Sequence, residues 1–82
     1  MQNIAEGYRV VCYSSVNCDD EIKQAANAPS LGSGFGPDGR DNDFLADSAD
    51  KASQIKDRLL DLNAVHLVEI FDPSGNVSRF KK

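Results

Sequence analysis

Cys12, Cys18 and His66 are the residues of this chain whose side chains suit nucleophilic or metal chemistry. A cysteine can act as a nucleophile where the fold brings it beside a histidine that accepts its proton. Zinc sites usually have four ligands and space their cysteines in close pairs, whereas Cys12 and Cys18 are six residues apart and the chain has one histidine. We therefore predict no catalytic residues and no bound metal. A small enzyme or ligand-binding domain that uses these three side chains remains an alternative.

A glycine-rich run at residues 32–36, followed by several acidic residues, is a second candidate for ligand binding. Backbone amides of such a run can hold a phosphate, but the phosphate-loop motif continues with Gly-Lys-Ser/Thr before a helix. Here Asp38 and Asp41 follow, and their carboxylates repel phosphate. The acidic residues also lack the alternating oxygen ligands, the central glycine and the distal glutamate of a calcium loop. The sequence therefore predicts no cofactor, and an interaction loop is the simpler interpretation.

The spacing of apolar residues predicts five regular elements. They are, in chain order, a strand at 8–14, a helix at 18–27, a helix that begins at Asp47 or Ser48 and carries an apolar stripe to Leu62, and strands at 65–71 and 77–80. Asn17 is a candidate cap for the first helix, because its side-chain oxygen can accept a free amide of the first turn. Pro73 and Gly75 are typical of the turn between the last two strands.

These elements predict a single α+β domain over residues 1–82. We expect a three-stranded, mainly antiparallel sheet with 65–71 in the middle and both helices packed on one face. The other face would be partly open. The order of elements is then β-α-(long loop)-α-β-β. Residues 28–44 form the long loop in this prediction, because they contain four of the six glycines and two of the three prolines.

Glu69 lies in the predicted middle strand, and its surroundings decide whether it is catalytic or structural. Glycoside chemistry uses two carboxylates that flank the scissile bond, and a single glutamate on a strand is not such a pair. Arg9 or Arg79 on a neighbouring strand can pair with Glu69 across the sheet. The sequence therefore predicts an ordinary cross-strand ion pair at this position.

Acidic residues outnumber basic ones by thirteen to nine, which gives the chain a net charge of −4. Such a chain repels nucleic-acid phosphates at short range, so we predict no direct contact with nucleic acid. Residues 1–7 lack the features of a signal peptide, and no stretch approaches the roughly 18 apolar residues of a membrane span. We therefore expect a cytoplasmic protein without membrane contact, in which Cys12 and Cys18 are free thiols.

Small size, an acidic surface and a long loop rich in glycine and aspartate together predict a non-enzymatic protein-binding module. Aromatic and arginine side chains contribute most of the binding energy at many interfaces, and acidic side chains attract a partner with a basic surface. The predicted contact residues are of these types: Tyr13, Phe35, Asp38, Arg40, Asp41, Asp43, Phe44, Asp47 and Asp50. A dimeric accessory subunit, paired through the open face of its sheet, is the other alternative.

In its length of 82 residues, its acidic balance and its mixed order of strands and helices, the chain resembles small inhibitors that phages and other mobile elements encode, such as anti-CRISPR proteins. The resemblance covers these three properties and no sequence motif, so it identifies no functional residues. It implies an inhibitor whose acidic surface occupies a basic, nucleic-acid-binding site on a target protein.

Overall fold

A computed structural model describes residues 7–37 and 39–82, and these residues form seven regular elements. In chain order the elements are β1 (Tyr8–Ser14), α1 (Asp19–Ala26), β2 (Ser30–Gly36), β3 (Gly39–Ala46), α2 (Ala49–Leu60), β4 (Val65–Phe71) and β5 (Val77–Lys81). Five of them lie where the hydrophobic pattern predicts helices and strands. The other two, β2 and β3, occupy most of the segment 28–44 that was predicted to be a loop.

The strands form one open antiparallel sheet of five strands in the order β2-β3-β1-β4-β5. The predicted three-stranded sheet is therefore wrong, and β1 rather than β4 is the central strand. The correction comes from β3, which pairs along the whole of β1, from Tyr8 opposite Ala46 to Ser14 opposite Arg40. β2 then folds back on β3 and forms the outer edge of the sheet.

The burial of β3 residues follows a period of two, although the strand is largely polar. Asn42, Phe44 and Ala46 are buried, whereas the residues between them face the other side of the sheet. This alternation is the pattern of a strand with one face on the core. The glycines of β2 lower its intrinsic strand preference, so β2 depends on pairing with β3 rather than on its own side chains.

Gly39, at the start of β3, has a backbone conformation and surroundings that only glycine satisfies. Its φ of +105° lies in the region that L-residues rarely adopt. A Cβ atom at this position would also collide with the carbonyl oxygen of Ser14 in β1. This glycine therefore lets the β2–β3 hairpin approach the central strand closely.

Both helices pack on the same face of the sheet, which we call the helix face. α1 contributes Ile22 and Ala26 to the core, and α2 contributes its predicted apolar stripe, including Ile55 and Leu59. Ser48 caps α2, because its side chain accepts a hydrogen bond from the Lys51 amide at 3.2 Å. None of the helices in the described residues is long and apolar enough to cross a membrane.

The opposite side of the sheet, which we call the open face, has no helix over it in the described part of the chain. The strand registers place alternate residues of four strands on this face: Arg9, Val11 and Tyr13; Asp41, Asp43 and Leu45; Leu67, Glu69 and Phe71; Val77, Arg79 and Lys81. On β2 the same face carries Gly32, Gly34 and Gly36, which lie opposite Asp43, Asp41 and Gly39. The open face is thus rich in charge at its centre and bare of side chains along β2.

Candidate functional site

The predicted contact residues do not form one surface. Tyr13, Asp41 and Asp43 lie on the open face, whereas Phe35 and Arg40 lie on the opposite side of the β2–β3 hairpin. Asp47 precedes α2, Asp50 lies in its first turn, Phe44 lies in the core, and Asp38 is outside the described residues. The structure therefore divides the prediction into separate candidates.

Phe44 is the clearest correction among these residues. It is completely buried and belongs to the core cluster between the sheet and the helices. Its partner in the sheet is Val10 of the central strand. Phe44 therefore stabilises the fold, and its side chain is not accessible to a partner protein.

Glu69 and Tyr13 occupy the centre of the open face and interact with each other. The Tyr13 hydroxyl donates a hydrogen bond to Glu69 Oε1 at 2.9 Å. Arg79 Nε donates to the other carboxylate oxygen at 2.7 Å, which confirms the predicted cross-strand ion pair. Glu69 is nearly buried by these neighbours, although no helix covers it. The charge of this glutamate is therefore balanced inside the molecule.

Arg9 balances a second carboxylate on the open face. Its Nε atom lies 3.2 Å from Asp43 Oδ2, and its guanidinium lies 4.9 Å from the centre of the Phe71 ring. Val11 lies on the same face, opposite Asp43 and Glu69, and is almost fully buried. The middle of the open face is thus a closed layer of paired charges and aromatic rings.

Asp41 and Asp43 form an acidic pair at the β3 side of this layer. They are two residues apart on the same face of one strand, so their carboxylates are neighbours. Burial raises the pKa of the Asp43 carboxyl, Arg9 opposes that rise, and the nearby charge of Asp41 adds to it. Close like charges raise the free energy of both ionised groups. An additional cation beside this pair would therefore be favourable.

β2, the strand next to the acidic pair, has only glycines on the open face. We call Gly32, Gly34 and Gly36 the glycine shelf, since they expose backbone without side chains. A Cβ atom added at Gly34 would lie 3.8 and 3.9 Å from the two carboxylate oxygens of Asp41. Any larger side chain at Gly34 would therefore stand beside the Asp41 carboxylate, and glycine leaves that approach open.

Arg40 has a structural role on the helix face. Its Nε and Nη2 atoms donate to the two carboxylate oxygens of Asp19 at 3.1 and 2.6 Å, which ties β3 to the first turn of α1. This hydrogen-bonded pair lowers the pKa of the Asp19 carboxyl. The Phe35 ring lies over the same guanidinium, with its centre 4.6 Å away. Phe35 is 73% exposed, so it rather than Arg40 is the accessible side chain here.

Asp47 lies at the start of α2, on the helix side of the molecule, and forms a weak pair with Lys51 at 3.7 Å. Both residues line an open cleft of about 410 Å³ between α2 and the connection from α1 to β2. Arg58 also lines this cleft, but its guanidinium donates to the carbonyl oxygens of Ala25 and Ala26 at the end of α1. The guanidinium in this cleft therefore connects α2 to the end of α1.

The alternative of chemistry at the cysteines and the histidine has little geometric support. Burial raises the pKa of the Cys12 thiol to about 12, and the nearby Cys18 thiol adds to the rise. Both cysteines are free, and the thiolate is the reactive form of cysteine. His66 is exposed, with its Nε2 near Gly39. Within residues 7–37 and 39–82, His, Cys, Asp and Glu side chains form no cluster of three that suits a metal ion.

Sequence reasoning missed the glycine shelf and the strand on which it lies. The signal was the spacing of Gly32, Gly34 and Gly36, which matches the period of a strand as well as the composition of a loop. Only the partner strand distinguishes these two interpretations. Residues 42–46 show no alternation of polar and apolar types, so no pattern in the sequence indicates that partner, and their alternating burial appears only in the structure.

Comparisons of the chain with protein-family models, with curated protein sequences and with solved structures find no match. The resemblance to small phage-encoded inhibitors therefore rests on size, charge and element order alone, and the candidate surface rests on the geometry described above.

Proposed function

We propose that this protein is a non-enzymatic binding module that docks the acidic pair, Asp41 and Asp43, against a basic surface of another protein. The observation that carries the proposal is the position of this pair beside the glycine shelf. The carboxylates are close enough to repel each other, Arg9 balances only that of Asp43, and no side chain of β2 stands in front of them. Acidic groups placed in this way attract cationic side chains and increase the rate of association.

The net charge of −4 and the hydrogen-bonded state of the arginines support a basic protein as the partner rather than nucleic acid. The chain has four arginines. Arg9, Arg40 and Arg79 each form an ion pair with a carboxylate of the same chain, and Arg58 donates to two backbone carbonyls. Nucleic-acid binding depends on cations that are available to phosphates. These arginines already have acceptors, so phosphates would have to displace them.

In the inhibitor version of this proposal, the basic surface is the nucleic-acid-binding site of the target. An acidic protein there competes with phosphates for the same lysines and arginines, as the resemblance to anti-CRISPR proteins implies. We further propose that this occurs in the cytoplasm, since Cys12 and Cys18 are free and free thiols persist under reducing conditions.

Charge-removing variants test the proposal. We expect Asp41→Asn/Asp43→Asn to weaken capture of the target from a lysate of the source cells by roughly tenfold or more, because two charge-assisted contacts are lost. The matched control is Asp57→Asn/Asp61→Asn, which removes two exposed charges near the end of α2, on the other side of the sheet. Thermal unfolding of all three proteins checks that each is folded.

The captured protein, once identified, is then tested for competition. We expect the unaltered protein and the control variant to displace nucleic acid from it, with an effect that weakens as salt is raised. Equal capture by the two variants would show that the acidic pair is not the contact surface. Nucleic acid that stays bound at saturating protein would contradict the inhibitor mechanism while leaving the binding module in place.

A further inference from the structure

The outer edge of β2 differs from the outer edge of β5 in how it is protected. β5 carries Arg79 and Lys81 and is followed by Lys82, and charged residues of this kind discourage pairing with further strands. β2, the other edge, has no charged residue. A bulge between Ser30 and Gly32 interrupts the pairing of β2 only at its N-terminal end, and the register is regular from Gly32 to Gly36. The edge of β2 is therefore suited to accept another strand.

The glycine shelf gives such an added strand access to the acidic pair. Neighbouring strands lie about 4.8 Å apart, so a strand added beside β2 would lie roughly 10 Å from β3. Lysine and arginine side chains are long enough to extend over a neighbouring strand if nothing stands between. Because β2 has only glycines on the open face, a cationic side chain of the added strand can cross it and reach Asp41 and Asp43.

The other face of β2 offers an apolar contact. Phe35 lies opposite Arg40, on the helix side of the sheet, and is 73% exposed. Leu31 lies in the bulge at the start of β2 and is 50% exposed. In an extended segment, side chains alternate between the two faces. A segment that presents cations to the glycine shelf would therefore present its intervening residues towards the side of the Phe35 ring.

We propose that β2 binds an extended segment of the partner by strand addition, and that this segment alternates basic with apolar residues. This inference rests on the proposed function and specifies the kind of partner. A second copy of this chain fits less well, because its own β2 would bring glycines to the open face and leave both acidic pairs without a cation. Backbone hydrogen bonds would provide affinity, and the alternating side chains would provide specificity.

A synthetic peptide as long as β2, in which lysine alternates with valine, is the probe. We expect it to bind the full chain and to increase the hydrogen-exchange protection of alternate β2 amides, because these gain acceptors. Two further peptides of the same sequence are N-methylated at odd or at even residues. We expect one of them to bind roughly tenfold more weakly or worse, since its methyl groups replace the amides that face β2.

Two single substitutions test the route over the glycine shelf. We expect Gly34→Val to weaken peptide binding by roughly tenfold, because its side chain stands beside Asp41 in the path of the cation. The variant should fold, as the added Cβ makes only ordinary contacts at 3.8 and 3.9 Å. Ser78→Val, in the other edge strand, is the matched control and should leave binding unchanged.

The outcomes separate this inference from the proposed function. Binding that needs Asp41 and Asp43 but tolerates both N-methylated peptides and Gly34→Val would overturn strand addition and leave the acidic contact intact. Binding that is insensitive to Asp41→Asn/Asp43→Asn would contradict both. Absence of binding at about millimolar peptide would overturn strand addition, and the lysate capture would then decide the proposed function by itself.

Discussion

At the scale of single residues, the structure assigns different roles to side chains that the sequence had grouped together. The Tyr13 hydroxyl donates a hydrogen bond to Glu69, the Arg40 guanidinium donates to Asp19, and Phe44 is buried in the core. Each role depends on a partner far away in the sequence. Of the predicted contact residues, Asp41 and Asp43 remain as the acidic pair of the proposed contact, and Phe35 is the exposed aromatic residue.

The buried thiol of Cys12 leads to a prediction that bears on the enzyme alternative. Because burial raises its pKa to about 12, Cys12 is protonated at neutral pH and should react slowly with a thiol reagent. We expect one of the two cysteines of the native protein to be modified much more slowly than the other. In a Cys18→Ser variant, only the slow reaction should remain, and denaturant should abolish the difference.

The contrary result would be a Cys12 thiol that reacts in the folded Cys18→Ser variant as fast as it does in denaturant. The thiol would then be accessible and partly ionised, and chemistry at Cys12 would have to be reconsidered. A Cys12→Ser variant, which retains Cys18, is the reciprocal control and should lose the slow reaction.

At the scale of elements, the local spacing of apolar residues was sufficient to predict both helices and three of the five strands. The stripe of α2 and the alternation of β1 are set by residues a few positions apart, and the structure confirms both elements. The prediction that Asn17 caps α1 is wrong, because the N-cap is Cys18 and no described side chain caps this helix. Asn17 lies one residue earlier, and its side-chain oxygen accepts from the Asp19 amide at 3.3 Å. β2 and β3 were missed because glycine content favoured a loop, whereas pairing with β1 makes the segment a hairpin.

The close approach of that hairpin to β1 can be tested at Gly39. Gly39 and Gly75 both have positive φ, at +105° and +93°, but only Gly39 has neighbouring atoms where a Cβ would stand. We expect Gly75→Ala to lower the free energy of unfolding by about 1 kcal/mol through backbone strain alone. Gly39→Ala should cost clearly more, since it adds a collision with the Ser14 carbonyl oxygen.

Equilibrium denaturation of the two alanine variants provides this comparison, because both carry the same chemical change in a strained backbone. Equal losses of stability would mean that β1 does not constrain the start of β3. The position of the hairpin, and with it the glycine shelf, would then need revision.

At the scale of the whole molecule, the two faces of the sheet have different tasks. The helix face holds the core, and the centre of the open face is a layer of internal ion pairs that includes Arg9 with Asp43 and Arg79 with Glu69. Among the described residues, the large apolar side chains exposed on the open face are Leu45 and Val77, at 38% and 45%. Interfaces between stable dimers usually need a larger continuous apolar patch than two half-exposed residues provide.

We therefore expect the protein to be a monomer, in contrast to the alternative of a dimeric accessory subunit. Sedimentation velocity at two concentrations about a hundredfold apart should give the same sedimentation coefficient. For a weak dimer the coefficient would rise with concentration, because mass action increases the dimer fraction. A concentration-dependent increase would support dimerisation. If that increase disappears in a Leu45→Lys/Val77→Lys variant, the open face is the dimer interface.

The sequence by itself determined the two helices and the strands with clear alternation, which depend on neighbours in the chain, and the acidic balance. It also predicted an ion pair at Glu69, for which the structure selects Arg79 rather than Arg9. Only the tertiary structure decided that residues 28–44 belong mainly to a hairpin, that Phe44 is internal, and that glycines face the acidic pair. The physical reason is that a glycine-rich strand has little preference of its own. Its conformation and its exposed face are determined by backbone hydrogen bonds to a strand that itself pairs with distant residues.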